Sequence, residues 1–359
     1  MDKLTTIVLK LSRKTQLVLF FCVVLLIGYF LSKALVVNYA SNNNQTEQVA
    51  QKYSCPFNYK MYRLTQLPQD KNNVCGLEID AGDNLKGIAP VSESLVHVDQ
   101  LLIQDQDDAN IPPEIGNLKS LTTVIIADND GDMEVPPEIG DLNNLSHLTI
   151  SKNEGLESLP ISVAKLTNLQ TLLIRYNPKL KVPDSLVTLA KLTSLTVVGE
   201  NIKSLSPRVY LLSQLQILNY SLNQIATVSS DIGNMYSLQQ INFLGNNLYA
   251  FPAVDKLQNL QLIDLSYNHL TKLPSGVTKL KKVTSLHASD NQLTDQAVAD
   301  ISRLTKLISL DLGDNKLTKV PSGIENIKSL QYIRLAGNNI NATEIAKLKQ
   351  KLPHTTVDF

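Results

Sequence analysis

The sequence contains no tryptophan, and only 5% of its 359 residues are aromatic. A core built from it must therefore be aliphatic, and leucine is visibly the commonest residue. A surplus of either charge is missing as well, because 33 Lys+Arg offset 33 Asp+Glu. Nucleic-acid binders normally carry a basic excess and a basic stripe, so no nucleic-acid partner is expected. Cysteine is sparse: Cys22, Cys55 and Cys75 form no CxxC and no Cys/His cluster at zinc spacing. No phosphate-binding loop, dinucleotide fingerprint or nucleophile elbow occurs, and no cofactor is expected.

Long apolar runs are absent after residue 37. The one exception, "LVLFFCVVLLIGYFL" at Leu17–Leu31, follows Lys3, Lys10, Arg13 and Lys14. Its 15 residues span only about 22 Å as a helix, short of a hydrocarbon core of about 30 Å. If Lys33 snorkels, the run extends to Val37 and is long enough. A cleaved signal peptide with a small-x-small site at Ser32–Ala34 is the alternative. Either reading leaves residues 1–16 cytoplasmic and sends the remainder across a membrane, as a single-pass membrane protein or a secreted one. Residues 38–52, rich in Asn and Gln, read as a flexible linker.

The rest of the chain is periodic. "PPEIGNLKSL" at Pro112–Leu121 returns as "PPEIGDLNNL" at Pro136–Leu145. Nine-residue segments such as "LTTVIIADN" (from Leu121), "LQTLLIRYN" (from Leu169), "LQLIDLSYN" (from Leu260) and "LISLDLGDN" (from Leu307) recur at steps of 22–24 residues from Val98 to Leu330. That makes eleven units, with a degenerate one near Val74. The pattern resembles the leucine-rich repeat family, LxxLxLxxNxL followed by a variable half. Second halves such as "LPSGVTKL" (Leu273–Leu280) are similar to the typical xLPxxIxxL form. The resemblance covers about residues 74–352. It implies an α/β solenoid, a horseshoe of about 11–12 coils with a parallel concave sheet and a cap at each end.

Each position has a physical reason. Alternating apolar residues such as Leu310 and Leu312 point inward from a short strand. Asparagine at the ninth position, from Asn129 to Asn338, can bond backbone groups of its own and neighbouring coils. Gln106 and Glu200 depart from this, and the ladder is expected to be perturbed at Glu200. The resemblance also implies a cysteine-bearing N-terminal cap over residues 53–76, in which Cys55 bonds Cys75. Such a disulfide contributes roughly 3 kcal/mol; the alternative is two free buried thiols. Residues 341–359 read as a helix and a closing strand.

The second, third, fifth, seventh and eighth positions are expected to face the concavity. On that basis Leu102, Ile125, Leu173, Arg175 and Tyr176 form one exposed group. Ile217, Leu222, Leu244, Leu262 and Tyr267 form another. Asp264, His287 and Asp311 stack in a polar row, flanked by Asp290 and Asp314 and followed by Arg334. Apolar and aromatic clusters of this kind mark interaction surfaces. The expected function is a non-enzymatic scaffold, displayed beyond a membrane, that binds a protein of unknown identity through this face. A structural spacer and a metal-dependent hydrolase on the polar row are the alternatives. Sequons occur at Asn44, Asn144, Asn219 and Asn341.

Overall fold

The structure is a computed structural model that describes residues 60–359 apart from 82, 108–109, 184–185 and 187. These all fall in the unit Phe57–Phe359. Fourteen strands form one parallel sheet in strict sequence order. They are β1 (Met61–Arg63), β2 (Gly76–Ile79), β3 (Gln100–Gln104), β4 (Thr123–Met133), β5 (His147–Leu156), β6 (Thr171–Arg175) and β7 (Ser194–Val198). Then follow β8 (Ile217–Asn219), β9 (Gln240–Asn242), β10 (Leu262–Asp264), β11 (Ser285–His287), β12 (Ser309–Asp311), β13 (Tyr332–Arg334) and β14 (Thr356–Asp358). Short 3-10 turns make most of the return path, and helix α1 (Ala342–Lys351) precedes β14.

No coil buries its leucines alone; stacking does it. The fourth-position residues pair in register, Val124 with Leu148, Leu148 with Leu172, Leu172 with Leu195, and onward to Leu310 and Ile333. All of these are at most 1% exposed. One aromatic cluster interrupts the aliphatic core. Phe243 is fully buried, lies 6.3 Å from the Tyr220 ring and meets Phe251 edge-on at 5.3 Å.

The eighth position has a uniform backbone that the residue types do not announce. It is left-handed in all eleven coils from Val98 onward: φ is 50–56° at Asp105, Asp128, Lys152, Tyr176, Leu222, Tyr267, Asp290 and Asp314, and glycine fills Gly199, Gly245 and Gly337. This is where the chain leaves the strand. A residue with a Cβ costs roughly 1–2 kcal/mol there.

One expectation changes. The chain was expected to be a single-pass membrane protein, but no helix among the described residues is long and apolar enough to cross a membrane. That localisation is not supported. Residues 17–37, on which it rested, lie outside the described residues, as does the 38–52 linker. Cys75 is disulfide-bonded; Cys22 and Cys55 also lie outside the described residues.

Candidate functional site

In the N-terminal coils, β3–β7 pair through the seventh position: Gln104 with Ala127, Ala127 with Ser151, Ser151 with Arg175, and Arg175 with Val198. Their fifth positions stand in a row as Leu102, Ile125, Thr149, Leu173 and Thr196. All five are half-buried. Thr149 therefore separates Ile125 from Leu173, and the apolar stripe is interrupted. Tyr176, 41% exposed, ends this group. Its ring lies over Gly199 of the next coil: a Cβ at Gly199 would stand 2.6 Å from Tyr176 Cδ1. Leu222 lies over Gly245 in the same manner. At these two places a large eighth-position side chain is matched to glycine one coil later.

The seventh position differs from its expected role. Leu244 was expected to face outward, but it is only 9% exposed. Ala127, Ser151, Val198, Ser221, Ser266 and Ser289 are buried at the same position. The left-handed residue that follows turns the chain inward, so seventh-position side chains pack under the bend instead of lining the concavity. Arg175 is half-buried there, and its Nε is buried without a hydrogen-bond partner among the described residues. In the middle group, Ile217 and Leu262 are held apart by Gln240, which pairs with both. Tyr267 remains 40% exposed. Burial and the Asp290 carboxylate push its phenol up.

From β8 onward the strands stop at the fifth position. There Asn219, Asn242, Asp264 and Asp311 each accept the backbone N–H two residues on, from Ser221, Leu244, Ser266 and Gly313, at 2.9–3.0 Å. The strand end no longer binds that N–H, so an Asx side chain does. The polar row is then cross-linked. His287 Nδ1 lies 3.9 Å from Asp264 Oδ2, and its Nε2 lies 3.1 Å from Ser309 Oγ. Arg334 bridges Asp311 (3.5 Å), Asp314 and Asp358 (3.4 Å). Burial alone would lower the His287 pKa; the neighbouring Asp264 carboxylate, with the charge of Asp311, outweighs it and raises it. Burial raises Asp311 although Arg334 opposes it.

Ser309, His287 and Asp264 therefore stand in line, but the 3.9 Å His287–Asp264 gap is too long for a hydrogen-bonded relay, and a serine nucleophile also needs oxyanion donors. The amides of Ile308 and Ser309 both donate to Thr284 O, so neither is left for that task. Among the described residues no group of three or more His, Cys, Asp or Glu could hold a metal. Of the sequons, Asn144 and Asn341 are exposed, Asn219 has its Oδ1 engaged as above, and Asn44 is outside the described residues.

The ninth-position ladder is continuous but changes its pairing. In the N-terminal coils Asn129 Oδ1 accepts the N–H of Gln106, and Asn177 Oδ1 that of Asn153, both ninth-position partners. In the later coils Asn246, Asn268, Asn291, Asn315 and Asn338 accept instead from the eleventh-position N–H of the coil before: Ile225, Leu248, Leu270, Leu293 and Leu317. Asn223 does both, taking Glu200 N and Ile202 N at 3.0 and 3.1 Å. The changeover lies at the one coil that carries glutamate.

Comparison with known proteins agrees with this architecture. Residues 259–280 match the family model described as Leucine Rich Repeat. An adenylate cyclase of Schizosaccharomyces pombe is 34% identical over 117 residues, 32% of this chain. The chain spans only 7% of that relative's length. Among solved structures, the Arabidopsis receptor kinase HAESA in complex with the peptide hormone IDA and the co-receptor SERK1 superposes with a TM-score of 0.61. The match is 22% identical and covers 84% of this chain and 54% of that one. An internalin of Listeria monocytogenes superposes with a TM-score of 0.55 at 20% identity, over 74% of this chain and 81% of that one. At such identities the structural likeness speaks for the fold. With the family-model match, the period, the asparagine ladder and the unbroken parallel sheet, it identifies the fold as a leucine-rich repeat solenoid.

Proposed function

We propose that this chain is a non-enzymatic scaffold that binds a protein partner on the concave face of its N-terminal coils, around Leu173 and Tyr176. The observation that carries the reading is the placement of Tyr176. A bulky aromatic stands in a left-handed backbone, 41% exposed, with its ring braced on Gly199. Tyrosine is also favoured among residues that dominate binding energy. The fifth-position side chains beside it are free of backbone duties, unlike the Asx residues of the later coils. The receptor complex found among the structural neighbours is consistent with this use of the fold, which by itself names no ligand.

The test pairs affinity with melting. A photo-crosslinker at Thr196 identifies the partner, and one at Tyr332 serves as the control position. Against that partner, Tyr176→Ala or Leu173→Ala should cost roughly 1–2 kcal/mol of binding while leaving the fold intact. Wild-type affinity in both variants, with loss in Arg334→Ala, moves the site to the C-terminal coils. No crosslinked partner at either position favours a spacer role.

A further inference from the structure

Glu200 stands where nine other coils carry asparagine. It is 4% exposed. Its Oε1 accepts the Asn177 N–H at 2.9 Å and the Asn177 Nδ2–H at 3.1 Å. Its Oε2 is buried with no hydrogen-bond partner among the described residues. An asparagine rung both accepts and donates: Asn223, for example, donates through Nδ2 to Val197 O, Tyr220 O and Ser221 O. An ionised carboxylate can only accept. A neutral carboxylic acid has one acceptor oxygen and one O–H donor, the same pair of functions as the carboxamide.

We propose that Glu200 is a proton-operated rung of the ladder. As the neutral acid it works like asparagine. When ionised it leaves the rung without a donor, and it loosens the 192–214 coil together with the turn that presents Tyr176. The structure joins those two parts directly. Glu200 holds Asn177, the residue after Tyr176, while the Tyr176 ring rests on Gly199 and its N–H donates to Val198 O at 2.9 Å. The same coil borders a pocket that is partly open to solvent. A cavity of about 90 Å³ lies among Leu195, Ile202, Leu205, Val209, Leu212 and Tyr220. It is also where the ladder changes its pairing.

The charged residues nearest in sequence on the stacked coils are Arg175 and Lys179 before it and Lys203 on its own coil; the following coil brings neutral Asn223 and Tyr220. Burial raises the Glu200 carboxyl to about 7, against the two bonds from Asn177, and no ionic neighbour contributes. In the unfolded chain the group ionises near 4.5. The coil is therefore tightest below that value, weakens as pH climbs, and reaches its loosest state above about 7.

Hydrogen exchange on the full chain tests this, with rates divided by intrinsic rates at each pH. From pH 5.5 to 8.5, amides of residues 174–178 and 192–214 should open about tenfold more readily relative to the 238–259 coil, which contains no histidine. Glu200→Gln, with acceptor and donor at every pH, should show no such change. An unchanged ratio in the wild type, or the wild-type response in Glu200→Gln, overturns the proposal. If the variant does not fold, the wild-type Glu200 side-chain carbon resonance decides. It should titrate between pH 5.5 and 8.5, and a carboxylate already ionised at 5.5 overturns the proposal. None of these readouts involves a partner, so their outcome is separate from that of the binding test above.

Discussion

The two halves of the solenoid bind their own backbone differently. In the N-terminal strands β3–β7 the runs are 5–11 residues, and pairing carries on past the bend, to Met133 with Leu156 between β4 and β5. In the coils from Ile217 to Arg334 every strand is three residues long, and fifth-position Asn or Asp completes the hydrogen bonding that a longer strand would supply. The difference bears on how a concave surface is interpreted. The charged row at the C-terminal end looks like a site in the sequence, yet Asp264, His287, Asp311 and Arg334 are engaged with backbone and with one another. The plainer N-terminal row of Leu, Ile and Thr has no such internal duty.

The largest expected effect tests the inward/outward register that underlies both halves. Leu172 is fully buried and Leu173 beside it is half-buried. Leu172→Ala should destabilise by about 2–5 kcal/mol, and Leu173→Ala by less than about 1 kcal/mol. Equal losses in chemical denaturation would mean that the face assignment is wrong in every coil.

The next concerns the edge of the N-terminal half. Cys75 is disulfide-bonded, and we propose Cys55 as its partner. Thiol labelling of the unfolded, unreduced repeat domain from residue 53 should find no free cysteine. Removing the bond by Cys55→Ser should cost about 3 kcal/mol, as loops of this size do. A labelled Cys55 in the wild type overturns the pairing.

A smaller effect separates structural from binding roles in the C-terminal half. Asp264→Ala removes the acceptor of Ser266 N–H and the partner of His287, and should cost about 1–2 kcal/mol at pH 6. His287 has a raised pKa in the fold, so its contribution is complete below its unfolded value of 6.5 and fades as pH rises through the higher folded one. The penalty of Asp264→Ala should therefore shrink from pH 6 to pH 9. A penalty that does not change with pH would show that the His287–Asp264 contact carries no linkage.

How far the sequence foretold this divides along the same physical line. The period, the inward leucines and the asparagine ladder are repeated side-chain demands, and each is visible as a column in the sequence. Backbone conformation is not. The left-handed eighth position is filled by Asp or Gly, which tolerate it, in seven coils, but by Lys, Tyr or Leu in the other four, so the column is easily missed. Without it, Leu244 is wrongly placed on the concave surface. The Asx turns were hidden for a related reason: Asp264 and Asp311 have the same residue type whether they bond a backbone amide or a ligand. The glycines could have given a signal. Gly199 and Gly245 each follow, one coil later, a large eighth-position residue, Tyr176 and Leu222. That pairing encodes the close approach between coils.

The smallest effect addresses this hidden backbone. Tyr176→Ala and Tyr176→Gly both delete the ring that rests on Gly199, so they lose the same packing and, if the ring binds a partner, the same affinity. They differ only in the Cβ. In most backbone settings glycine is the less stable choice, because it loses more conformational freedom on folding. At φ 56° the order reverses, since a Cβ in the left-handed region costs roughly 1–2 kcal/mol and the entropy difference returns only part of it. Tyr176→Gly should therefore be more stable than Tyr176→Ala by about 0.5–1 kcal/mol in equilibrium denaturation. The same pair of substitutions at Leu173, in extended strand, should give the opposite order. If alanine is the better residue at both positions, Tyr176 is not held left-handed. The bracing of its ring on Gly199 would then have to be abandoned, and with it the observation that singles out this turn for binding.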